Sequence, residues 1–327
     1  MSPLRQASRD VAAADAYLFR PAPAYRFFGG TRPSPLVGQN PPNGALVYYV
    51  LRAEPKASEE VTLELLDGSG KVLRKLSSKE DKDKAEGPGG GEEEEFGPPP
   101  AARTIPAKAG LNRFPWDLRT EDARRFKGMI LWGGLTRGPV VPPGTYQVRL
   151  TANGKSTTQP LEVRKDPRIA SSDDEFRKQY DLLVKIRDKV SETHDAITRI
   201  RETREQVKGV ADRAKGSQPI ADAAEALNQK LTAVEEELYQ TKNQSSQDPL
   251  NFPIRLNNKL AALAGVVASG ETAPTDQSYV VYADLTGRID AQLAKLRQVI
   301  ETDVPAFNAL VREQNVPAVV IKPATKD

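Results

Sequence analysis

The stretch GTYQVRLTANGK, from Gly144 to Lys155, alternates apolar and polar residues and then turns. Tyr146, Val148 and Leu150 face one way, the period of two that a strand half-buried in a sheet requires. Asn153-Gly154 supplies a tight turn, and a last strand is expected from about Thr157 to Val163. Upstream, VTLELLD (Val61 to Asp67) puts Val61, Leu63 and Leu65 on one side and Thr62 and Glu64 on the other. Asp67-Gly68-Ser69-Gly70 is turn chemistry, and Val72 to Leu76 returns as the second arm of a hairpin. ALVYYVL (Ala45 to Leu51) and GLNRFPWDLR (Gly110 to Arg119) extend the series. Short strands and turns with no helical period between them predict an antiparallel β-sandwich over residues 43–165.

On the C-terminal side the period changes. Ser172 and Glu175 form a capping-box pattern before a run with Ile186, Val190, Ile197, Ile200 and Val207 on helical spacing. A second helix is expected from Pro219, a third near Pro253 and a fourth from about Thr275, kinked or restarted near Asp303 by Pro305. Four amphipathic helices over residues 171–315 predict an antiparallel four-helix bundle. The expected fold class is therefore α+β multidomain, a sandwich followed by a bundle, with a polar tail at 316–327.

On the N-terminal side, residues 1–42 carry Pro21, Pro23, Pro33, Pro35, Pro41 and Pro42, which argue against helix or central strand. Tyr17, Phe19, Tyr25, Phe27 and Phe28 lie in this stretch. It reads as an extended arm whose rings pack on neighbouring surfaces and mark a contact with a partner. Tyr25 to Phe28 are expected on the sandwich. Tyr17 and Phe19 are expected on the partner's side and dispensable for the stability of the chain alone. Within the sandwich, residues 77–100 are charged, rich in Gly and Pro, and nearly free of apolar residues. They read as a solvated, disordered loop, and Glu92 to Glu95 as part of it rather than as a cation site.

Composition removes several chemistries. With no cysteine there is no disulfide, thiolate nucleophile or sulfur-ligated zinc. The single histidine, His194, is all that a triad or imidazole metal site could use. Lys+Arg 47 against Asp+Glu 44 leaves a charge of +3, no footprint for nucleic acid. No apolar run reaches the ~18 residues of a membrane span, and no signal peptide opens the chain. Gly87 and Gly89 to Gly91 match no phosphate loop, and no cofactor is expected.

His194 borders an apolar stripe and reads as a hydrogen-bonded boundary residue before it reads as a catalyst or ligand. Arg201 and Arg204 could hold a phosphate or carboxylate, but interleaved Glu202 and Glu205 favour an ion network on the bundle seam. Asp117 and Asp166 are the acids that a hydrolase would need, with Trp116 as a sugar platform. A core tryptophan and a turn aspartate are the simpler reading.

GLNRFPWDL and, further on, PPGTYQVRL resemble the Ig-like domain found in flagellar hook-capping proteins. SPLRQ, ADAYLFRPAPAYRF, GQNPPNGALVYY, DPRI and IRLNNKLAALAGVVASGETAPTDQSY are added to these. Together, from Ser2 to Val320, they resemble the C-terminal region of large secreted bacterial proteins with sortilin-like BNR-repeat β-propellers, often labelled glycosyl hydrolases. The propeller blades are missing, so no catalytic residue carries over. The resemblance implies a non-catalytic accessory module whose partner is a β-propeller domain, in cis or from an adjacent gene. It also implies a periplasmic or extracellular location. The alternative is a hydrolase acting on carbohydrate or peptide, or its substrate-binding domain.

Overall fold

The computed structural model describes residues 3–27, 43–79, 104–214 and 216–317. Phe28, nearly all of the 77–100 insert and most of the 316–327 tail lie outside them. Among the described residues, a short 3-10 turn (Pro3–Gln6) and helix α1 (Arg9–Ala13) are followed by eight strands. These are β1 (Ala16–Leu18), β2 (Ala24–Arg26), β3 (Ala45–Leu51), β4 (Thr62–Leu66), β5 (Val72–Ser77), β6 (Gly110–Trp116), β7 (Gly144–Ala152) and β8 (Lys155–Lys165). They form a three-stranded sheet in the order β1-β3-β6 and a five-stranded sheet in the order β2-β8-β7-β4-β5. Their inner faces share one core, with Leu18, Val47, Tyr49 and Trp116 from the first sheet and Leu63, Val148, Leu150 and Leu161 from the second.

This corrects the expected fold. The arrangement is not an antiparallel Ig-like sandwich with a separate arm. The five-stranded sheet is mixed, because β2 runs parallel to β8, Ala24 opposite Val163. The arm supplies a strand to each sheet: β1 also pairs antiparallel with β3. The prolines permit this because β1 and β2 are only three residues long and lie at sheet edges, where a missing donor costs no ladder bond.

The helical part is also not a simple four-helix bundle. It holds α2 (Asp173–Arg213), α3 (Gln218–Leu238), α4 (Leu256–Val267), α5 (Asp276–Gln298) and α6 (Val304–Glu313). The 41-residue α2 is about 60 Å long and packs against α3, α4 and α5. Its start is a closed capping box: the Ser172 hydroxyl accepts from the Glu175 N–H, and the Glu175 carboxylate accepts from the Ser172 N–H. Between α5 and α6 lies a π turn, Val299–Asp303. Pro305 has no N–H to give a regular helix, so the wider turn accommodates it.

The core of this helical part is completed by the β-region. The connector between β6 and β7 leaves the sheets and inserts Ala123, Phe126, Met129 and Leu131 among the helix residues. Asn258 of α4 brackets Trp132, accepting from its N–H at 2.7 Å and donating to its carbonyl at 2.7 Å. Leu135 N–H donates to the Ala261 carbonyl at 3.0 Å. The base of the connector is tight: a Cβ on Gly138 would meet the Thr120 carbonyl oxygen at 2.2 Å.

One side chain fastens the parts together. Arg26, at the end of β2, is only 4% exposed. Its Nε donates to Glu271 at 3.1 Å, its Nη1 to the Val141 carbonyl at 3.2 Å and its Nη2 to Gln179 at 2.8 Å. Its guanidinium lies 4.8 Å from the centre of the Phe176 ring. Gln179 in turn donates to the carbonyls of Val267 and Gly270. Removing one partner of a buried pair costs about 3–5 kcal/mol, because the other is left charged and dry. Arg26→Met is therefore expected to lower stability in urea by about 3 kcal/mol, and Arg26→Met with Glu271→Leu to recover most of the loss. A single variant within 1 kcal/mol of wild type would show that the clasp is dispensable.

Candidate functional site

The acid, base and cation candidates are each engaged in the fold. His194 is 1% exposed on α2. Its Nδ1 lies 2.5 Å from the Arg124 carbonyl and its Nε2 3.3 Å from the Asn257 side-chain nitrogen. A carbonyl only accepts, and the Asn257 oxygen already accepts from the Asn258 N–H at 2.7 Å. The ring is therefore neutral, donating from Nδ1 and accepting at Nε2. Phe126 packs edge-on against it at 5.2 Å. Burial pushes its pKa down to about 4, against the raising effect of the Arg124 carbonyl.

Arg201 and Arg204 meet on Glu235, a carboxylate of α3 that is 3% exposed. Arg201 Nε donates to it at 2.7 Å, and Arg204 Nη1 pairs with it at 2.8 Å. Arg201 also stacks on Phe126 and Tyr239, 4.7 and 5.4 Å from the ring centres. Trp116 is in the core, its Nε1 donating to the Arg119 carbonyl. It offers no face to a sugar. Asp117 is held by Arg74 at 3.2 Å and Arg137 at 3.3 Å. Asp166 is gripped by Arg168 through both donors of one guanidinium edge, Nε and Nη2, which keeps its carboxyl below the usual range. The two aspartates share no partner. Among the described residues no cluster of three or more His, Cys, Asp or Glu could hold a metal, and no helix is long and apolar enough to cross a membrane.

The arm's rings are covered to different extents, and Tyr25 and Phe27 are not buried on the sheets as expected. Phe19 is buried and Tyr17 half-buried, edge-on to each other at 5.1 Å. Tyr25 and Phe27 are exposed and stacked at 5.9 Å, with Arg168 over Phe27. The reason is strand alternation: in β2 Ala24 and Arg26 take the inward positions, so Tyr25 points out.

The unusual surface is the outer face of the three-stranded sheet. Cross-strand register places Leu46 opposite Pro115, Tyr48 opposite Arg113, and Val50 between Tyr17 and Leu111. Phe19 joins the Tyr48 row, its N–H donating to the Tyr48 carbonyl at 3.0 Å. The outer face is thus apolar and aromatic, with the cation Arg113 on its β6 edge. The corresponding row of the five-stranded sheet is Lys75, Glu64, Arg149 and Thr158, tied by an Arg149–Glu64 ion pair of 2.6 Å. That is the ordinary solvated face of a half-buried sheet.

At one end the apolar face deepens into a groove of about 280 Å³ between the first 3-10 turn, β3 and the Phe19–Ala22 segment. Gln6 holds the groove's wall, its amide accepting from the Arg20 N–H and donating to the Arg20 carbonyl. Leu46 and Tyr48 were absent from the sequence candidates, although Ala45 to Leu51 contains no polar residue to mark a solvent side. Comparisons with protein-family models, curated proteins and solved structures gave no match.

The chain's only histidine gives the fold a pH dependence. In the unfolded chain it takes a proton near pH 6.5; in the folded chain it resists until about pH 4. The unfolded state therefore binds more protons in this window, and stability falls as pH drops from 6.5 towards 4, by about 3 kcal/mol in all. Urea unfolding at pH 7.5, 6 and 5 should show this slope, and His194→Gln should flatten it. An equal slope in the variant would place the titration elsewhere.

Proposed function

We propose that the chain is a non-catalytic accessory module that docks a partner domain through the outer face of its three-stranded sheet. The observation that carries this is the contrast between the central rows of the two outer faces: one holds the Arg149–Glu64 ion pair, the other the half-buried Tyr17, Leu46, Tyr48 and Val50 with the exposed Leu111. A contiguous apolar patch on a soluble fold marks an interaction surface. The resemblance to the non-propeller region of secreted BNR-repeat proteins supplies the partner, a β-propeller domain, and with it a periplasmic or extracellular setting. The engagement of Asp117, Asp166, Arg201 and Arg204 by opposite charges favours this reading over a hydrolase acting on carbohydrate or peptide.

The test is co-expression with a BNR-repeat propeller encoded upstream of the chain or beside it. The complex should co-purify. Leu111→Glu with Arg113→Glu should weaken it at least tenfold while changing the isolated chain's stability by under about 1 kcal/mol, as surface substitutions do. A complex indifferent to this pair, or no complex with the unaltered chain, would overturn the proposal.

A further inference from the structure

The geometry points to a peptide site in the groove of this face: a slot for an extended, proline-rich strand that carries carboxylates. It rests on the reading of the outer face as a docking surface and names the kind of segment the partner inserts there. The floor is the cross-strand pair Phe19 and Tyr48, and the walls are Pro3 and Pro21. At about 280 Å³ the space is smaller than a usual cofactor or substrate pocket and suits a few side chains laid along a surface.

Three features select the ligand. First, aromatic faces and rigid walls bind proline rings well, since a polyproline strand is already extended and loses little entropy on docking. Second, the groove offers donors rather than a ladder. The backbone N–H and carbonyl of Arg20, which would otherwise continue the β1 edge, are both taken by Gln6. The Tyr48 hydroxyl has no partner among the described residues, so it is free to donate to a ligand carbonyl. Proline brings carbonyls and no N–H, so it asks only for donors. Third, the guanidinium groups of Arg20 in the groove and Arg113 beside Tyr48 have no carboxylate among the described residues. A guanidinium binds a carboxylate through paired charge-assisted hydrogen bonds, so acidic residues flanking the prolines complete the match.

Fluorescence polarisation with labelled synthetic peptides tests this directly on the full chain. A Pro-Pro-Glu repeat peptide should bind saturably and at least tenfold more tightly than a Pro-Pro-Lys or a Gly-Ser-Glu repeat of equal length. Arg20→Glu should abolish the preference for the acidic peptide, and Tyr48→Phe, which keeps the ring and the fold, should weaken binding several-fold. Tyr25→Ala, on the other sheet, should change nothing. Equal binding of the Gly-Ser-Glu peptide, or binding unaffected by Arg20→Glu, would overturn the site. If the propeller complex forms and responds to Leu111→Glu with Arg113→Glu while the Pro-Pro-Glu peptide does not bind, the groove assignment fails and the docking face stands.

Discussion

A guanidinium removed from water must have its donors met, and Arg26 meets them from four directions. The acid comes from Glu271 after α4, the amide from α2, the carbonyls from the connector before β7, and the ring beneath from Phe176. Each of these is fixed only when the others are in place. The arm strand therefore cannot pair with β8 without also setting where the helices sit against the sheets. A buried charge of this kind adds little net stability compared with an apolar substitute, but the wrong arrangement leaves it unpaired and costs several kcal/mol.

The same logic repeats in the helical half, where the β6–β7 connector is held mainly by polar groups. Asn258 imitates a strand partner for Trp132, His194 donates to the Arg124 carbonyl, and Glu235 gathers two arginines, of which Arg201 also covers Phe126. The apolar residues of the connector supply burial; these bonds decide which residue enters which gap. The two halves thus share core material, and the chain does not divide cleanly at the end of the sheets.

Function enters where this economy stops. Most buried charged side chains described inside the molecule are paired, as Arg26 with Glu271 and Glu235 with Arg201, and the five-stranded sheet carries the cross-strand pair Arg149 with Glu64. The outer face of the three-stranded sheet differs, with half-buried Tyr17 and Tyr48 beside the exposed Leu111 and two arginines that have no carboxylate among the described residues. The proposed docking role draws on this surface, while Asp117, Asp166, Arg201 and Arg204 are engaged in ion pairs within the fold.

Local pattern determined much of the secondary structure. Alternation in Gly144 to Ala152, the Asn153-Gly154 turn, the Ser172 capping box and the spacing of α2 are set by residues near each other in the chain, so they are legible without a fold. The pairing of Ala24 with Val163, the meeting of Arg26 with Glu271, and the burial of Phe126 among helices join residues tens to hundreds of positions apart. No periodicity records such meetings. The arm's prolines concealed two edge strands because a proline forbids a central strand but not an edge. Which rings of the arm face out was decided by the strand register, and that register follows from where Arg26 finds its partners.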